Sequence, residues 1–153
     1  MAFIFLRILN NSSSNRKIRV KSQNQNENFK LAEILMGDPN IEISIKDWEG
    51  FSALDYAFKY NKTQVVEKII NHPKFETQEL YRSFHTLVAE NKLEIIDLYL
   101  NHPDFDLSKA NYQEAFKLAT NNGSSDILTR LIDKAEETDL DIGSTPTSSM
   151  SLN

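Results

Sequence analysis

The chain repeats itself. Residues 53–75, ALDYAFKYNKTQVVEKIINHPKF, align with residues 83–105, SFHTLVAENKLEIIDLYLNHPDF, at an offset of 30. Asn61-Lys62 falls on Asn91-Lys92, Val65-Val66 on Ile95-Ile96, and Ile69-Ile70 on Tyr99-Leu100. Asn71-His72-Pro73 falls on Asn101-His102-Pro103, and Phe75 on Phe105. An offset of 32 adds residues 115–133, with Gly123 on Asn91, Ile127-Leu128 on Ile95-Ile96 and Leu131-Ile132 on Tyr99-Leu100. A partial copy lies upstream, where Leu31–Ile41 meets Val65–Phe75 at an offset of 34. Spacings of about 30–34 residues announce a repeat array, in which each unit buries its apolar face against its neighbours.

Each copy reads as helix, short turn, helix. Val65, Val66, Ile69 and Ile70 lie at i, i+1, i+4 and i+5, one apolar stripe of a 3.6-residue period. Ile95, Ile96, Tyr99, Leu100 and Ile127, Leu128, Leu131, Ile132 repeat that stripe, and all three are expected to be core. The turn between the helices carries Asn61, Asn91 and Gly123 at one equivalent position. Asn and Gly both enter the left-handed conformation at low cost, as a helix that stops and restarts at once requires. Pro39, Pro73 and Pro103 stop the second helices.

With these features in place the chain resembles the ankyrin-repeat family. Residues 47–76, DWEGFSALDYAFKYNKTQVVEKIINHPKFE, follow the pattern D-x-x-G-x-T-P-L-H-x-A-x-x-x-G-x-x-x-V-V-x-x-L-L at Asp47, Gly50, Leu54, Ala57, Val65, Val66, Ile69 and Ile70. Ser52-Ala53-Leu54-Asp55 stands where the family has Thr-Pro-Leu-His, and Ser52 with Asp55 forms an S-x-x-D capping box. Copy three has Thr77–Leu80 in place of the D-x-x-G turn. Copy four has Asn111-Tyr112 there, and its finger is expected to be irregular or replaced by a helical extension. Copy one has no convincing first helix. The resemblance implies an all-α, ankyrin-like helix-turn-helix repeat solenoid with short β-turn fingers at most. A generic α-solenoid of degenerate repeats is the alternative. The expected domains are an N-terminal arm, 1–27, flexible or capping; a repeat domain, 28–135; and a disordered acidic, Ser-rich tail, 136–153.

Charge is unevenly spread. Residues 1–30 carry six basic residues against one acid, Glu27, and residues 31–153 carry eleven against twenty-one. The acidic body repels nucleic-acid phosphates. No aromatic lies between Arg16 and Lys21 to stack a single strand. The acid-free, Arg- and Ser-containing start also resembles a mitochondrial transit peptide.

Little in the chain points to catalysis. With no cysteine, thiol nucleophiles, disulfides and Cys-based zinc sites are excluded. Four glycines include no phosphate-cradling GxGxxG or GxxxxGK[ST] motif. His72 and His102 share one repeat position, where stacked copies keep them about 10 Å apart. Ligands of one zinc must come within about 2.1 Å of it, so a role in turn structure is expected instead. His85 and Ser83 are two apart on a helix and face different ways. No catalytic, metal or cofactor site is expected. No apolar run approaches the roughly 18 residues of a membrane span.

The resemblance implies partner binding through the turn tips and the concave face of the first helices. Carried over by position, that surface comprises Trp48, Glu49, Phe51, Lys59, Tyr60 and Tyr81. The expected function is a non-catalytic protein–protein interaction module, monomeric and cytoplasmic, with another protein as partner and no small-molecule substrate. The mitochondrial matrix is the alternative location. Two other functions stay open: a regulatory fragment of a larger enzyme, and a basic-arm binder of nucleic acid or membrane surface.

Overall fold

The computed structural model describes residues 4–8, 16–20, 25–47 and 49–141. Among them are seven α-helices, one 3-10 turn and a small antiparallel sheet. The body is therefore helical, as the repeats lead one to expect. The chain divides into two compact units, Met1–Thr77 and Gln78–Asn153, with the boundary inside the segment expected as one repeat domain.

In the first unit, β1 (Ile4–Ile8) is the central strand of three. It pairs with β2 (Arg16–Val20) from Ile4 opposite Val20 to Ile8 opposite Arg16. Its other edge pairs with β3 (Ile41–Glu42), Ile8 opposite Ile41. Helix α1 (Gln25–Leu35) follows the hairpin, and α2 (Ala53–Lys59) and α3 (Thr63–Ile70) form a helix pair. α1 packs on α3, and β1 packs on both α1 and α2. The segment expected as a flexible or capping arm thus contains two strands and the start of α1. The remainder of that arm lies outside the described residues.

The second unit holds two further pairs: α4 (Gln78–Ala89) with α5 (Leu93–Leu100), and α6 (Tyr112–Asn121) with α7 (Ser125–Glu137). α4 packs on α6 and α5 on α7. Copy three has no turn finger: α4 is already helical at Gln78. In copy four a 3-10 turn, Leu107–Lys109, precedes α6. Helix α7 runs to Glu137, so the segment expected as a tail begins inside a helix. Residues 142–153 lie outside the described residues.

The stripes are core. Val65, Val66, Ile69 and Ile70 are buried, as are Ile95, Ile96, Tyr99 and Leu100. Each such side chain stabilises by roughly 1.5–3 kcal/mol when fully buried. On α7, Ile127 and Leu131 are buried while Leu128 and Ile132 stay half-buried. Among the described residues α7 packs against α5 and α6 and no helix follows it, and the far edge of its stripe keeps contact with water.

The turns between paired helices are built alike. Asn61, Asn91 and Gly123 have φ of 51°, 57° and 65°, the left-handed region. In each turn the next N–H reaches back to close the helix: Lys62 to the Ala57 carbonyl at 2.8 Å, Lys92 to Leu87 at 2.9 Å, Ser124 to Ala119 at 2.9 Å. The left-handed residue itself donates to Phe58, Val88 and Thr120 respectively. These two bonds make a Schellman motif, which satisfies carbonyls the helix end would leave open. The same motif ends α7, where Asp139 has φ 52° and the Leu140 N–H donates to Ala135 at 2.9 Å.

Candidate functional site

The loop before α2 is built around one carboxylate. The Asp47 N–H donates to the Phe51 carbonyl, and the Gly50 N–H to the Asp47 carbonyl. Gly50 has φ 86°, which a β-carbon would strain. Asp47 Oδ1 accepts the N–H groups of Glu49 and Phe51, each at 2.9 Å, and Oδ2 accepts the Tyr56 hydroxyl. Burial alone would raise the Asp47 carboxyl, but the Tyr56 hydroxyl and the backbone donors outweigh it and hold the group below its ordinary value. Burial, and then the Asp47 charge, push the Tyr56 hydroxyl above its ordinary value. The first helix starts on the expected capping box: Asp55 N–H to Ser52 Oγ at 3.2 Å, and Ser52 N–H to Asp55 Oδ2 at 2.8 Å.

This frame brings three of the six expected surface residues together. Phe51 is 41% exposed at the end of the loop. Lys59 and Tyr60 sit at the far end of α2. The Lys59 ammonium lies 5.9 Å from the Phe51 ring centre and 5.7 Å from that of Tyr60. Tyr60 meets Phe29 of α1 edge to face at 5.7 Å, and Lys62 stands over Phe29 at 5.3 Å. The result is a row of three rings with an ammonium group at each of two places along it. Phe29 and Lys62 were not foreseen. Phe29 lies 31 positions before Tyr60, and no spacing in the sequence links them. Glu49 is exposed beside the loop. Trp48 lies outside the described residues.

Tyr81 is not part of this row. It belongs to the second unit, where its ring stacks on Phe105 at 5.4 Å. Its hydroxyl donates to the Asp104 carbonyl at 3.2 Å and accepts the Asp106 N–H at 3.0 Å. Half-buried and committed at both ends, it holds the segment after α5 in place.

His72 and His102 are both buried. Nδ1 of each accepts an N–H two residues on, Lys74 and Asp104, at 3.2 Å. The acceptor role of Nδ1 puts the His72 proton on Nε2, which donates to the Asp38 carbonyl at 3.1 Å. Asn71 and Asn101 complete the same turn in both copies by donating from Nδ2 to the Glu67 and Asp97 carbonyls. Among the described residues no cluster of three or more His, Asp or Glu side chains is arranged to hold a metal ion. A shallow groove between α5 and α7 is lined by Asp97, Asn101, Arg130, Asp133, Lys134 and Glu137 among others, and Arg130 pairs with Asp97 across it at 3.1 Å. Among the described residues no helix is long and apolar enough to cross a membrane. Comparison of the chain with known protein families, with curated proteins and with solved structures finds no match.

Proposed function

We propose that this chain is a non-catalytic protein-interaction module, an ankyrin-like array that acts as a cytoplasmic monomer and binds a partner protein. Two features support the ankyrin-like reading: left-handed Asn or Gly turns recurring at one position, and an Asp47–Gly50 turn of D-x-x-G form. The observation that carries the functional reading is the exposed Phe51 ring beside Lys59 and the half-buried Tyr60. Aromatic rings set on a rigid helix end lose little freedom on binding and commonly anchor interfaces.

The test is affinity capture by the full chain, followed by titration of any captured protein after purification. Wild type is compared with Phe51→Ala/Tyr60→Ala and with Gln64→Ala, an exposed control on α3. All three are first checked for equal helicity by circular dichroism. The reading expects saturable binding that the double variant loses and the control keeps. Equal binding by all three moves the site elsewhere, and no saturable partner ends the reading.

A further inference from the structure

We propose that the Phe51–Lys59–Tyr60 surface takes an acidic peptide segment, with a carboxylate on the Lys59 ammonium and an apolar side chain against the Phe51 ring. This rests on the interaction-module reading and names the chemistry of its partner.

Lys59 is placed for such a contact. Its ammonium lies over two rings, 5.9 Å and 5.7 Å from their centres, which places the charge beside the Phe51 ring. It is exposed, and it makes no ion pair among the described residues. All five ion pairs among those residues lie between Glu79 and Glu137. Lys62, over Phe29, places a second positive charge along the same aromatic row. The acids close by on the loop are Asp47, engaged by Tyr56 and the backbone, and Glu49.

Net charge separates the two units, with eleven Lys and Arg against nine Asp and Glu in residues 1–77 and six against thirteen in residues 78–153. The basic excess of the first unit lies in residues 1–30, and residues 31–77 carry five against eight. It is therefore the Lys59 ammonium, and not the net charge around it, that receives the carboxylate. Phe51 is the one aromatic among the large apolar side chains left exposed in the described residues, and it gives an apolar residue of the peptide a place to sit. A single-stranded polynucleotide would also find a stacking ring in Phe51. It brings a phosphate at every nucleotide against the Asp47 and Glu49 carboxylates of the same loop, however, where a peptide needs only one carboxylate on Lys59.

The probe is a random twelve-residue peptide library displayed on phage, selected on the folded full chain. The enriched peptides are resynthesised and their affinities measured by fluorescence anisotropy. The expected peptides carry two or more Asp or Glu flanking an aromatic or aliphatic residue. Lys59→Glu is expected to weaken them about tenfold or more, and Lys59→Arg, which keeps the charge, by about twofold or less. Phe51→Ala should weaken them as well, and added salt should weaken wild type more than Lys59→Glu. Circular dichroism establishes that each variant is folded. Enriched peptides that are neutral or basic, or acidic ones indifferent to Lys59→Glu, overturn the inference and leave the interaction reading standing. Failure to enrich any peptide overturns both. A single-stranded oligonucleotide that binds more tightly than every peptide, and is lost in Lys59→Glu, overturns the inference in favour of nucleic acid.

Discussion

The His72 Nε2–H donates to the carbonyl oxygen of Asp38, the residue that holds the same place one copy earlier, at 3.1 Å across 34 positions. Asp38 and His72 also do one job in their own turns: Asp38 Oδ1 accepts the Asn40 N–H at 2.9 Å, as His72 Nδ1 accepts that of Lys74. The position calls for an acceptor aimed two residues on, and the imidazole adds a donor that ties one turn to the preceding one. Lys74 adds a second tie, from Nζ to the Asn40 carbonyl at 2.9 Å.

His72→Ala removes both functions at a site that is 5% exposed. The expected loss is about 1–2 kcal/mol in urea unfolding, because the half-buried Asp38 carbonyl and Lys74 N–H lose their hydrogen bonds. His72→Asn, which keeps a side-chain acceptor near the Lys74 N–H, should lose less. Equal losses for the two variants would show that the acceptor role does not matter.

The left-handed turns set a second expectation. Gly123→Ala meets no atom within 4 Å, so its cost is that of the backbone at φ 65° alone. We expect a loss of about 1 kcal/mol. Asn91→Gly, at φ 57°, should be neutral or slightly stabilising, and Asn91→Ala should cost about 1 kcal/mol. Thermal or urea melts that rank Asn91→Ala above Asn91→Gly in stability would contradict the Schellman assignment.

Asp47 makes the fold sensitive to acid. Its carboxyl is held below its ordinary 3.8 in the folded chain, so the ionised form favours folding. That contribution is complete above 3.8 and is lost as pH falls below it through the folded value. Wild type should therefore exceed Asp47→Asn in stability by the most near neutral pH, with the gap closing in strong acid. Tyr56→Phe, which deletes the hydroxyl donor, should cost about 1 kcal/mol at neutral pH and narrow the acid dependence. Urea titrations at a series of pH values measure both, and a gap that does not change with pH would remove Asp47 as its source.

Phe105 is the centre of an aromatic cluster, 5.4 Å from Tyr81, 5.0 Å from Phe84 and 6.3 Å from Tyr99. Phe105→Ala should cost about 3–5 kcal/mol, for lost burial and the cavity left behind. Tyr81→Phe keeps the stacked ring and loses two hydrogen bonds, so it should cost less. Should Tyr81→Phe prove the more damaging, the hydroxyl rather than the ring would be what holds this segment.

What the sequence determined by itself is local. The left-handed Asn and Gly turns and the Ser52–Asp55 box satisfy helix ends with partners a few residues away, so residue type at each position is enough to foresee them. The stripes at Val65–Ile70 and Ile95–Leu100 follow from helical period alone. What tertiary structure decided is every contact between distant positions. Phe51 and Tyr81 are both aromatic residues near the start of a first helix, yet Phe51 stays exposed while Tyr81 is clamped on Phe105 and the segment after α5. The β1 strand packs on α2, the first helix of copy two, although no repeat letter announces a strand there. His72 reads as a turn residue, and its reach to Asp38 exists because α1 and α3 pack side by side. Capping and period depend on neighbours along the chain. Exposure, stacking and pairing depend on which surfaces the packed helices leave open.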